Sequence, residues 1–159
     1  MFTFTNALAA ITALGLSSAC LADTVSIRNG KDTFFAGSQL SQAVDTAGDT
    51  FMAARAVKVN GASQGDLHVA GFDVSVGTDV FEDLYALGGA VVIRSTVAQD
   101  LTAAGFSLRT ETGSLTQGNA RLLGNTVTIE GPVEGALSVI GSDVILNAAI
   151  NGDARILAQ

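Results

Sequence analysis

At 159 residues, 48% apolar and 14% charged, the chain is long enough for one domain with a substantial core and too apolar to stay disordered. Fifteen acidic against eight basic side chains give a net charge of −7 and an isoelectric point near 4.4, which makes phosphate backbones and anionic lipid headgroups poor partners and argues against nucleic acid. Eighteen glycines with one proline, Pro132, and no tryptophan point to many tight corners in a repeating architecture rather than to capped helices.

The N-terminus stands apart. Residues 1–22 carry no charged side chain, and the apolar run Ala7 to Leu16 is followed by the small-residue stretch Ser17 to Ala22. That is the form of a secretory signal peptide: the run is too short to span a bilayer, and Ala22 and Cys20 offer small residues at −1 and −3 of a cut after Ala22. The expectation is an exported protein of the periplasm or cell envelope, although the usual Lys or Arg near the start is missing. Cys20, the only cysteine, offers a lipoprotein acceptor as the lesser alternative, because Ser17 stands where a lipobox wants Leu and Leu16 is one place early. With either cut the mature chain has no disulfide. Residues 23–30 read as a lead-in.

From Lys31 to the end the chain repeats. Units begin at Lys31, Gly48, Gly65, Glu82, Gln99, Gly118, Gly135 and Gly152, a spacing of 17 everywhere except for 19 between Gln99 and Gly118. The two extra residues fall near Thr112 and Gly113, at a corner. Position two of each unit reads Asp32, Asp49, Asp66, Asp83, Asp100, Asn119, Ala136 and Asp153, and position seven reads Gly37, Ala54, Gly71, Gly88, Gly105, Gly124, Gly141 and Ala158. These are turn chemistries: Asp and Asn bond their own backbone two residues on, and Gly tolerates positive φ.

Short alternations lie between the corners. Position ten is Leu40, Val57, Val74, Val91, Leu108, Val127 and Val144, and position twelve is Gln42, Val59, Val76, Ile93, Thr110, Ile129 and Leu146, with a mostly polar position eleven between them. A period of two with β-branched residues inward predicts strands, and a third inward row comes from Val80, Val97, Leu115, Val133 and Ile150. A unit of this size cannot bury its own apolar face, but units stacked about 4.8 Å apart close a continuous core. The predicted fold is all-β, a single-domain triangular parallel β-helix over residues 31–159 with about seven rungs of 17 residues. The lack of a strict six-residue step favours the right-handed form.

The phrase G-D-x-x-x-A-G-x-x-V-x-V, complete from Gly65 to Val76 and varied from Gly48, Gln99 and Gly135, resembles the bactofilin-like, polymer-forming cytoskeletal family over residues 31–159. The resemblance implies a right-handed β-helix that polymerises end to end through its terminal rungs without nucleotide. The export signal and the lack of polar flanking tails depart from the family's pattern.

Candidate surfaces follow from the columns. Phe34, Phe51, His68 and Tyr85 share outward position four, which later reads Thr102, Arg121, Ser138 and Arg155. This aromatic strip is either a contact surface or a seat for the segment 23–30 folded over it. The last rung shows no polar cap, so Ile156 and Leu157 are either an assembly edge or the end of a truncated copy.

Candidate chemistry is thin. Gly61-Ala62-Ser63-Gln64-Gly65 matches the G-x-S-x-G nucleophile elbow, but at a solenoid corner, and His68, the only histidine, has no third group to orient it. A lone outward His reads as solvated rather than as a metal ligand or acyltransferase base. The Asp column offers one carboxylate per rung, too few oxygens for Ca²⁺, and backbone capping explains it. No Gly-rich loop opens a helix to cradle phosphate. The expectation is a non-enzyme without cofactor or metal. Its first reading is a self-assembling envelope scaffold; the alternative is a monomeric module that binds polysaccharide or protein on one face.

Overall fold

The computed structural model describes residues 24–159. The leader assigned to residues 1–22, with Cys20, lies outside them. In chain order the strands are β1 (Val25–Asn29), β2 (Asp32–Thr46), β3 (Thr50–Ser63), β4 (Leu67–Val80), β5 (Leu84–Ile93), β6 (Thr96–Val97), β7 (Leu101–Thr110), β8 (Leu115–Thr116), β9 (Ala120–Ile129), β10 (Leu137–Leu146) and β11 (Ala154–Ala158). Each strand from β2 onward pairs parallel with its counterpart one turn away, in the order β2-β3-β4-β5-β7-β9-β10-β11, while β6 and β8 continue a further short row from β4. The result is a parallel β-solenoid of about seven turns.

Register explains why the repeat is visible in sequence. Partners such as Phe34↔Phe51, Val74↔Val91 and Val127↔Val144 bring identical columns together. The long step is confined to one corner. Ile93↔Thr110 keeps the ordinary spacing and Thr96↔Leu115 has already absorbed two residues. They sit between Thr110 and Leu115, where the Ser114 amide donates to Glu111 O at 2.8 Å and Gly113 faces open space. Leu115 is therefore not in the third inward row. Thr116 pairs with Val97 and bridges to Val133, which bridges to Ile150, because an insertion ahead of the row displaces it by both residues.

Inward positions three and five add to ten and twelve. Leu67, Leu84, Leu101 and Leu137 from position three and Met52, Val69, Leu122 and Val139 from position five are at most 3% exposed. Burial of each such side chain stabilises the fold by roughly 1.5–3 kcal/mol. The first rungs are more polar inside: Thr46 Oγ1 and Thr50 Oγ1 lie 2.6 Å apart, and Ser63 Oγ donates to Gly65 O at 3.2 Å.

The corner at position seven is built differently from the expectation of positive φ. Among the described residues only Gly30, at 63°, and Gly61, at 102°, have positive φ. A Cβ at Gly88 would lie 2.9 Å from Gly71 O, and one at Gly105 would lie 2.8 Å from Gly88 O. Glycine is needed there for close approach between rungs. Pairing skips position eight, between Gly71↔Gly88 and Asp73↔Ala90, and that skip switches the inward parity from odd to even positions.

The two ends differ. β1 pairs antiparallel with β2, Ile27 beside Phe34 and Val25 beside Ala36, after a two-residue turn at Gly30 and Lys31. It extends the sheet edge and leaves the aromatic strip uncovered, so the described part of segment 23–30 does not fold over that strip. At the other end β11, among the described residues, pairs only with β10, and Ile156 is 42% exposed where Val139, one rung in, is 1% exposed.

Candidate functional site

The Asp column is a chain of inter-rung caps. Asp32 Oδ1 accepts from Asp49 N at 3.2 Å, Asp49 Oδ1 from Asp66 N at 3.1 Å, Asp66 Oδ1 from Asp83 N at 3.0 Å and Asp83 Oδ1 from Asp100 N at 2.9 Å. Asp100 Oδ1 accepts from Asn119 N at 2.8 Å, and Asn119 Oδ1 from Ala136 N at 3.0 Å. Each side chain thus satisfies the amide of the same column one rung on, not its own backbone two residues on as a local turn would require. Asp153 lies in the last rung, and its backbone carbonyl accepts from Leu137 N. Arg121 Nη1 donates to Asp100 Oδ2 at 2.9 Å. The Asn119 amide foremost, and then Arg121, hold the Asp100 carboxyl below the usual range despite its partial burial.

Position four forms a ladder of parallel rings. Phe34 and Phe51 stack at 4.7 Å between centroids, Phe51 and His68 at 4.4 Å, and His68 and Tyr85 at 4.7 Å, with planes within 8° of parallel. The spacing is that of the rungs, so the solenoid itself aligns the rings. Tyr85 Oη donates to Asp83 Oδ2 at 3.1 Å, and that bond, with the carboxylate's charge, pushes the phenol above its ordinary pKa.

Beside this ridge runs a trough. Outward position six carries Ala36, Ala53, Ala70, Leu87, Ala104, Leu123, Ile140 and Leu157, and the rings and first alanines line an open groove of about 590 Å³ that runs from Val25 and Ile27 past Leu87 to Thr102 and Ala104. The ridge was legible in the sequence as a column of aromatics. The trough was missed, although its signal is plain in retrospect: position six faces outward and never holds a polar residue.

Other candidates do not converge. Ser63 is fully buried, its hydroxyl 3.4 Å from Thr46 Oγ1, while His68 stacks on the outer face, so the G-x-S-x-G match and the histidine are not brought together. Carboxylate oxygens of Asp49, Asp66 and Glu82 lie within 4.8 Å of one another, but the two aspartates already cap amides. On the neighbouring face Arg94 donates to Glu111 and to Ser75, each at 2.8 Å. The chain matches no known family model, no curated protein and no solved structure.

Proposed function

We propose that the protein is a non-enzymatic structural scaffold of the cell envelope that self-associates end to end through its rungs, as the resemblance to bactofilin-like polymers implies. The supporting observation is the C-terminal rung. Leu146 is 36% exposed and Ile156 42%, whereas their column neighbours Ile129 and Val139 are at most 1% exposed. Among the described residues the apolar core thus continues to the outer edge of β11, and a strand edge of that kind is a template for another chain. Export rests on the composition of residues 1–22.

β1 occupies part of the opposite edge, so the C-terminal rung is the principal joint. Electron microscopy of the full chain across a dilution series tests this reading. Filaments or end-joined particles that form without nucleotide, and that Ile156→Lys abolishes, support it. Single particles at every concentration overturn it in favour of a monomeric binding module.

A further inference from the structure

We propose that a second copy of this chain docks on the outer face formed by positions four and six, with a two-fold axis parallel to the solenoid axis. This contact is separate from the rung ends and does not depend on end-to-end assembly.

Symmetry supplies the first argument. A two-fold axis running along position five places position four of one copy opposite position six of the other at the same rung. Phe34 then meets the partner's trough at Ala36, Phe51 meets it at Ala53, and His68 meets it at Ala70, so a ridge of rings enters a row of alanines three times on each side. Interdigitated faces of this type are dry and closely packed, with sheets about 10 Å apart. Tyr85 and Leu87 form a large pair next to the small pair Thr102 and Ala104, which leaves room for the excess. In the last rungs the ridge changes column: Leu123, Ile140 and Leu157, each at least 47% exposed, face Arg121, Ser138 and Arg155. The stem of Arg121, whose head is held by Asp100, supplies apolar surface there.

Charge supplies the second argument. The chain holds 15 acidic residues, and none occupies position four or six in any rung. The neighbouring face, by contrast, carries Asp73 and Asp143 outward at position nine. Two copies of an acidic protein meet with less repulsion on a face whose outward columns hold no acidic residue, the Asp column lying along its border, where Asp83 and Asp100 bond Tyr85 and Arg121.

Size supplies the third. Eight rungs about 4.8 Å apart and a strand span of about five residues give roughly 600 Å² per copy, or about 1,200 Å² in total, which reaches the range of specific interfaces. A smaller apolar face would suit a transient ligand; this one is matched to itself.

The test is a swap of ridge and trough at one rung. Ala53→Phe alone sets ring against ring at two symmetric places and should weaken the dimer at least about tenfold in sedimentation equilibrium of the full chain. Phe51→Ala alone leaves two voids and should also weaken it. Together, Phe51→Ala and Ala53→Phe restore the fit and the dimer, yet this double variant should not pair with the unmodified chain in native mass spectrometry of a mixture. Circular dichroism of each variant checks that the solenoid is retained, and recovery in the double variant excludes misfolding as the cause.

A chain that stays monomeric in solution, or a dimer indifferent to these substitutions, overturns the proposal. So does association that Ile156→Lys abolishes while the swap leaves it unchanged, since it then belongs to the rung ends. Association that survives Ile156→Lys and follows the swap supports face pairing whatever becomes of the end joint.

Discussion

Asp66→Ala and Asp66→Asn together separate the two physical parts of the corner column. Asp66 Oδ1 accepts from Asp83 N at 3.0 Å while its own amide donates to Asp49 at 3.1 Å. A hydrogen bond to a charged group contributes about 1.5–3 kcal/mol, and the half-buried corner places this one at the lower end because water competes for the amide. Against that stands repulsion: unit charges about 4.8 Å apart cost about 1 kcal/mol in a water-like medium. Asparagine keeps the acceptor and removes the charge, as Asn119 already does for Ala136 N at 3.0 Å. Alanine removes both. Asp66→Asn is therefore expected to match or exceed the parent in stability, and Asp66→Ala, which also lacks the neutral hydrogen bond that asparagine keeps, to fall about 1 kcal/mol below Asp66→Asn, a difference of roughly 2–4 °C in Tm for a domain of this size. The assay is thermal and urea unfolding with hydrogen exchange at the Asp83 amide, which should lose about fivefold protection in the alanine variant alone. Any advantage of the asparagine variant should shrink as salt screens the column. If the two variants unfold together and exchange alike, the carboxylates do not cap the next rung and the reasoning fails.

Two further outcomes test the groups around the column. Tyr85 is the only tyrosine, so alkaline titration of its ultraviolet absorbance reads one group: the folded protein should ionise above the ordinary phenol value, and Asp83→Asn should bring the transition down. The sign follows from the raised pKa: the contribution of Tyr85 to stability is fully present below the unfolded phenol value and is lost as pH rises through the folded one. Thr78 is 0% exposed and its hydroxyl has no partner among the described residues. Thr78→Val should raise stability by about 1 kcal/mol in urea unfolding, because an unpaired buried hydroxyl is replaced by a methyl; a loss would mean that the hydroxyl is bonded.

The same columns serve fold and surface at once. Stacking at a fixed spacing turns any residue repeated at one position into a line, so a line of inward valines is a core, a line of aspartates is a set of caps, and a line of outward rings is a ridge. The trough is the complement of that ridge. It arises because the solenoid presents positions four and six side by side on one flat face.

The sequence by itself determined the solenoid, its period, the inward rows at positions ten and twelve and the corner that holds two extra residues, because each depends on a pattern that recurs every rung. The aromatic column was visible for the same reason. Only the tertiary structure decided which amide each aspartate caps, since the partner lies one rung away rather than two residues on. It decided that glycine at position seven answers the carbonyl of the rung below and not a left-handed backbone. It placed Thr116 rather than Leu115 in the third row, because an insertion's effect on register is known only from the pairing around it. And it showed that β1 extends the edge and leaves the aromatic face open: a short strand with apolar residues on one side fits equally well over a face or along an edge, and only the free hydrogen-bonding edge of β2 breaks that tie.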